Sequence, residues 1–259
     1  MRPKILSFDI FGTVVDWRRG LLAALGRQGV MLPEAAFDDV IAVGLAKDPK
    51  SRFERASDLA SVARHALRPA GQRQADTIAA STQAAHEPTR QAAAEGGPYA
   101  TYAEITARSL ETEIGLAPEA ASEIAAGIGD WPVYADSPAA LRRLLAMASC
   151  VAMTNSDRAH REPIQRQLGA PLSAWVCAED LRLYKPDPRF WHRTSEVLAE
   201  PFSPAWWHVS GYADYDLDVA RRLGLTTVFV ARPHARPGAA DHQVSDLAGL
   251  ADLVASLPA

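Results

Sequence analysis

The chain has 259 residues, 48% of them hydrophobic and 22% charged, enough for one large domain or a core with a smaller companion, and its composition is that of a folded globular protein. Its net charge of −4 excludes the basic footprint of a nucleic-acid binder, so a small molecule is the expected partner. The two cysteines, Cys150 and Cys177, lie in separate apolar runs and support neither a disulfide framework nor a zinc site. No apolar run reaches transmembrane length and MRPK leads directly into a strand, so no membrane association and a cytoplasmic location are expected.

The first element, Ile5 to Ile10, is an apolar run stopped by the turn residue Gly12, and it reads as a short buried strand. From Trp17 to about Trp131 the pattern is helical, with almost nothing that reads as strand. Within it, residues 47–97 are rich in Ala and Arg and have no aromatic residue between Phe53 and Tyr99. They read either as two long exposed helices or as a weakly folded stretch. Asp130 to Asp136 (DWPVYAD) is the return linker. Helix and strand then alternate: helix Ser137–Ala148, strand Cys150–Met153, helix Arg161–Leu168, strand Ala174–Cys177, helix Arg189–Leu198, strand Trp206–Val209, helix Leu217–Leu223, strand Thr226–Val230. This alternation predicts an α/β fold, a Rossmann-like doubly wound parallel sheet. The core is residues 1–16 plus 132–259, with residues 17–131 inserted as a helical cap domain.

Ligands of open parallel sheets bind at the carboxyl edge, so polar residues at strand ends are site candidates. Four strand ends finish this way. They carry Asp9 with Thr13, Thr154 with Asn155, Lys185 in the loop LYKPDP, and Ser210 to Asp216 after WWHV. Each has a plain explanation alone, as cap, turn or solvated residue. Together they place two carboxylates, a hydroxyl, an amide and an ammonium on one edge. His208 reads as packed in the sheet, and His160 and His192 as helix-surface residues. No G-x-S-x-G elbow and no metal-ligand spacing occurs.

FDIFGTVVDW, MTNSD (Met153 to Asp157), YKPDP (Tyr184 to Pro188) and HVSGYADYDLDVARRLG (His208 to Gly224) follow one another with a spacing that resembles the haloacid dehalogenase superfamily. GPYATYAEI (Gly97 to Ile105) and DWPVYAD are similar to the helical cap of its (S)-2-haloacid dehalogenase branch. The resemblance implies Asp9 as nucleophile, Thr154 and Asn155 as holders of the substrate's anionic part, and Lys185 as the charge beside Asp9. It implies further that Asp216 orients Lys185 or a water and that Thr13 bonds the nucleophile or its loop. Phe11 and Trp17 would be apolar walls. Ser210 would join the substrate site, as would Trp191, which stands where close dehalogenases have a Tyr.

In the family's phosphatases the residue two after the nucleophile is an aspartate that protonates a departing alkoxide; here it is Phe11, which donates nothing. Halide leaves without a proton. Gly211 stands where those enzymes have a magnesium-ligating acid. Both departures point to a metal-independent hydrolase with no cofactor that converts short 2-haloalkanoic acids to 2-hydroxy acids through an aspartyl ester. The alternatives are a magnesium-dependent phosphatase or phosphonatase, and a catalytically weak binding protein of the same fold. The substrate would be a small anion, and a homodimer, common among the relatives, is one assembly the resemblance admits. Arg18, Arg19, Arg52 and Arg55 are candidates for a substrate-cradling arginine, each more readily a surface residue. Asp214 adds a second negative charge to the pocket, points outward, or favours a cationic substrate such as a strained cyclic amino acid. Lys185→Met is expected to cost rate and little stability.

Overall fold

The computed structural model describes residues 2–31 and 99–258. Two compact units are present, Met1–Ala24 with Ala126–Ala259, and Leu25–Ala125. In the first, six parallel strands are ordered β3-β2-β1-β4-β5-β6, with β1 Ile5–Phe8, β2 Ser149–Thr154, β3 Ala174–Cys177, β4 Trp206–Ser210, β5 Thr226–Val230 and β6 His242–Val244. The chain builds outward from β1 to β3, then returns to the other side of β1 as β4. This reversal between β1 and β4 is the switch point at which such sheets bind ligands.

β1, with all four residues buried, and β4, with all five, read as continuous apolar or packed runs because helices cover both sheet faces. Leu6, Phe8, Cys150, Met153, Trp206 and Val209 are almost wholly withdrawn from water. The amphipathic helices Ser137–Leu145 and Leu247–Ser256 bury Leu141 and Leu144 in one case and Leu247, Leu250 and Val254 in the other. Ser137–Leu145 carries Pro138 in its first turn, where a missing N–H costs nothing, and Leu247–Ser256 is capped by the Asp246 carboxylate, which accepts from Gly249 N–H at 2.7 Å.

The expected strands are present, each within two residues of its predicted ends. The Leu217–Leu223 pattern forms a π-helical turn, Ala213–Leu217, followed by a helix, Asp218–Arg222. β6 and the Leu247–Ser256 helix were not anticipated. β6 is three residues, HQV, none fully buried, so it offers no apolar run to read. Where the inserted segment departs and returns, Val15 bridges Val133 in antiparallel fashion, Asp16 N–H donates to Pro132 O at 2.8 Å and Tyr134 N–H to Val14 O at 2.9 Å. Residues 47–97, including Arg52 and Arg55, lie outside the described residues.

In the second unit, the helix Tyr102–Ser109 opens with a capping box: the Thr101 hydroxyl accepts from Glu104 N–H and the Glu104 carboxylate accepts from Thr101 N–H. Pro118–Ala126 follows it, burying Ala121, Ile124 and Ala125. Among the described residues, no helix is long and apolar enough to cross a membrane.

The turn after β1 depends on Gly12. Its φ is +93°, and a Cβ built there would overlap the Tyr212 side chain. Gly12→Ala is therefore expected to destabilise the fold by at least about 2 kcal/mol, combining left-handed strain with displacement of Tyr212. The midpoint of urea unfolding measures this, and an unshifted midpoint would show that the turn relaxes freely.

Candidate active site

Asp9 follows β1 directly, one residue beyond the Phe8–Val209 register pair, and its N–H donates to Val209 O at 3.0 Å. The switch point therefore presents this carboxylate beside Ser210. Lys185 comes from the loop after β3, and Asp216 from the π-helical turn after β4. The Lys185 Nζ lies 3.0 Å from Asp9 Oδ1 and 3.0 Å from Asp216 Oδ2, with Asp9 and Lys185 each 2% exposed and Asp216 fully buried. Burial by itself pulls a lysine toward the neutral form. Here Asp216 and then Asp9 outweigh it, and the ammonium is held above its ordinary pKa.

The lysine backbone is clamped from both sides. Asn155 Oδ1 accepts from Lys185 N–H at 2.7 Å, while Asn155 Nδ2 donates to Lys185 O at 3.0 Å and to the Tyr215 hydroxyl, which itself donates to Lys185 O. Asn155 thus serves the lysine loop with both ends of its amide, a use that the expected substrate contact did not include. Thr154, its neighbour, is fully buried, and its hydroxyl has no hydrogen-bond partner among the described residues.

Thr13 joins the two outer motifs. Its hydroxyl donates to Asp9 Oδ2 at 3.3 Å and accepts from Gly211 N–H at 2.9 Å. The Ser210 hydroxyl donates to Asp216 Oδ2 at 3.0 Å. Phe11 is buried, with its ring edge-on to Trp131 at 6.2 Å and to His160 at 6.1 Å. Half-buried Trp17 donates from Nε1 to the Tyr212 hydroxyl at 3.0 Å.

Several expectations change. Trp191 is fully buried with its ring centroid 4.5 Å from that of His208, a packing contact that the expected substrate role did not include. His160 is 3% exposed rather than on a helix surface, because its Nδ1 accepts from Asp157 N–H at 3.2 Å and its ring packs on Phe11. Arg18 is 8% exposed, whereas Arg19 is solvated. Asp214 points outward, exposed and 3.3 Å from Arg236 Nη1.

Sequence reasoning missed Tyr215 and Arg232. Arg232 donates from Nε to Thr13 O at 2.9 Å, grips Asp136 through both terminal nitrogens at 2.7 and 3.0 Å, and stacks on Tyr134 at 4.1 Å. Its signal was available: it follows β5 on the edge that carries Asp9.

Among the described residues no group of three or more His, Cys, Asp or Glu side chains is placed to hold a metal ion, and an ammonium occupies the gap between Asp9 and Asp216. Magnesium requires close oxygen ligands in octahedral array. Gly211 supplies no oxygen from its side chain, and a Cβ there would come within 2.9 Å of Gly12 O.

The burial of Lys185 revises the expected consequence of replacing it. Lys185→Met would leave two carboxylates facing each other without water or cation, at a cost of roughly 3–5 kcal/mol. Adding Asp216→Asn should recover part of that loss. Urea unfolding of the single and double variants tests this, and a Lys185→Met protein of wild-type stability would contradict the buried triad.

No curated protein matches the chain. Among solved structures, the defluorinating L-2-haloacid dehalogenase Rha0230 is similar at 20% identity, with 99% of each chain covered and a TM-score of 0.70. The L-2-haloacid dehalogenase from Xanthobacter autotrophicus is similar at 17% identity, with 99% of this chain and 100% of that one covered and a TM-score of 0.67. YfnB from Bacillus subtilis, a putative HAD-hydrolase bound to magnesium, is similar at 12% identity, with coverage of 98% and 100% and a TM-score of 0.65. These likenesses establish a common fold. The family model for haloacid dehalogenase-like hydrolases matches residues 3–206, most of the chain, and this protein belongs to that family.

Proposed function

We propose that the protein is a metal-independent hydrolase that displaces halide from short 2-haloalkanoic acids. The observation that carries this reading is the Lys185 ammonium 3.0 Å from Asp9 Oδ1 at an edge where Phe11 replaces a proton donor. A lysine there offsets the repulsion between Asp9 and an incoming anion, while Phe11 and Trp17 keep the approach apolar.

In the proposed route the two oxygens of Asp9 differ. Among the described residues Oδ1 is gripped by Lys185 at 3.0 Å, whereas Oδ2 has the longer contact, 3.3 Å from Thr13, so Oδ2 is the freer nucleophile. It attacks C2, forming the ester C–O bond as the carbon–halogen bond breaks and halide leaves with the bonding pair. Water then adds to the ester carbonyl. The developing oxyanion is Oδ1, already paired with Lys185. Collapse breaks the bond between the Asp9 carbonyl carbon and the oxygen on C2; one proton of the attacking water goes to that departing oxygen to give the 2-hydroxy acid, the other passes to solvent, and the water's oxygen remains in the restored Asp9 carboxylate. Asp216 and Ser210 hold the lysine in place, and the buried Thr154 hydroxyl is an available donor for the substrate carboxylate.

Asp9→Asn should reduce halide release from 2-chloropropionate by about 10⁴-fold or more, since an amide is a poor nucleophile of nearly the same shape. A rapidly quenched wild-type reaction should show a mass increment on the peptide that contains Asp9. Unchanged halide release by the variant would remove Asp9 from the chemistry.

Halide release should also survive exhaustive chelation, and added magnesium should produce no binding heat. Strict dependence on magnesium, with turnover of phosphate esters, would assign the site to phosphoryl transfer instead.

A further inference from the structure

Behind the site, His208 is a buried imidazole that the proposed chemistry does not use. It sits in β4 directly across from Ser7 in the parallel register with β1. Its Nδ1 is 2.8 Å from Ser7 Oγ, its Nε2 is 3.8 Å from Asp216 Oδ2, and its ring meets Trp191 edge-on. At 3.8 Å the contact with Asp216 is electrostatic rather than a hydrogen bond. Burial holds His208 below its ordinary pKa, and Lys185 adds to this against the opposing pull of Asp216 and Asp9, so the ring is neutral and carries one N–H.

Which nitrogen carries it follows from the neighbours. Ser7 Oγ accepts from Trp206 Nε1 at 2.8 Å and has one proton to give. With that proton directed to His208 Nδ1 at 2.8 Å, the Nε2–H faces the Asp216 carboxylate. In the other tautomer Nδ1–H would point at Ser7 Oγ, the serine proton would fall back on Trp207 O at 3.4 Å, and the Nε2 lone pair would face a carboxylate oxygen. The first arrangement gives each proton a good acceptor and sets a positive dipole end against a negative charge. The electrostatic need is plain. Asp9, Lys185 and Asp216 carry two negative charges and one positive in a place nearly closed to water.

We infer that His208 is a positioning residue, held by Ser7 as the Nε2–H tautomer, which steadies Asp216 so that Asp216 aims Lys185 at Asp9. The inference rests on the reading of Asp9 and Lys185 as the reacting pair. The sequence Trp206, Ser7, His208, Asp216, Lys185, Asp9 then forms one polar line from the rear of the sheet to its carboxyl edge.

Two measurements test it. In full-length protein labelled with ¹⁵N-histidine, long-range proton–nitrogen correlation spectra, with the His208 signals identified by their loss in His208→Gln, should show the proton on Nε2. A proton on Nδ1 overturns the inference. In steady-state kinetics with 2-chloropropionate, His208→Leu should lower kcat about tenfold or more with KM nearly unchanged, and His208→Gln, whose amide N–H can face Asp216, should restore most of it. Ser7→Ala should lower kcat in the same direction and serves as the kinetic arm if His208→Leu does not fold. Wild-type kcat in His208→Leu or Ser7→Ala overturns the inference. Absence of halide release from the wild-type protein would defeat the proposed function, leaving the tautomer measurement to judge His208 independently.

Discussion

The site depends on one interaction, the Lys185 ammonium buried between Asp9 and Asp216. Taking an ammonium out of water costs several kcal/mol, and one carboxylate at 3.0 Å does not securely offset that. Asp216 and Asp9 together outweigh burial in setting the lysine's charge and hold its pKa above the ordinary value. The three groups come from segments far apart in sequence, so the charge balance also fixes how the ends of β1, β3 and β4 meet. Asn155 and Tyr215 hold the lysine backbone while the carboxylates hold its tip, which leaves the side chain little freedom to turn toward solvent.

The backbone around this triad is closely packed. Gly12 leaves room for Tyr212, Gly211 passes close to Gly12 O, and Thr13 spans the two by donating to Asp9 and accepting from Gly211 N–H. Arg232 then ties Thr13 O to Asp136, at the place where the inserted segment rejoins the core. The same residues bear on ligand choice. A glycine at 211 removes an acidic ligand, and its tight approach to Gly12 opposes any side chain there. The positive charge at the edge comes from a tethered lysine, paired with both Asp9 and Asp216.

The sequence by itself determined the parallel α/β core, because buried strands alternating with amphipathic helices have only that way to cover both sheet faces. It also marked Asp9, Thr13, Thr154, Asn155, Lys185, Ser210 and Asp216 as candidates for one edge, since the ends of parallel strands all meet there. Only the tertiary structure decided how those residues are used. That Asn155 clamps Lys185, that Arg18 and His160 are buried, that Asp214 faces solvent, and that Trp191 packs on His208 are outcomes of contacts between residues remote in the chain. β6 and Arg232 escaped notice for different reasons: a three-residue strand has no periodicity of its own, and Arg232, though its place after β5 could have marked it, has partners, Asp136 and Thr13, that only the fold supplies. Local patterns carry the periodicity that burial imposes; partner choice depends on distances that no local pattern encodes.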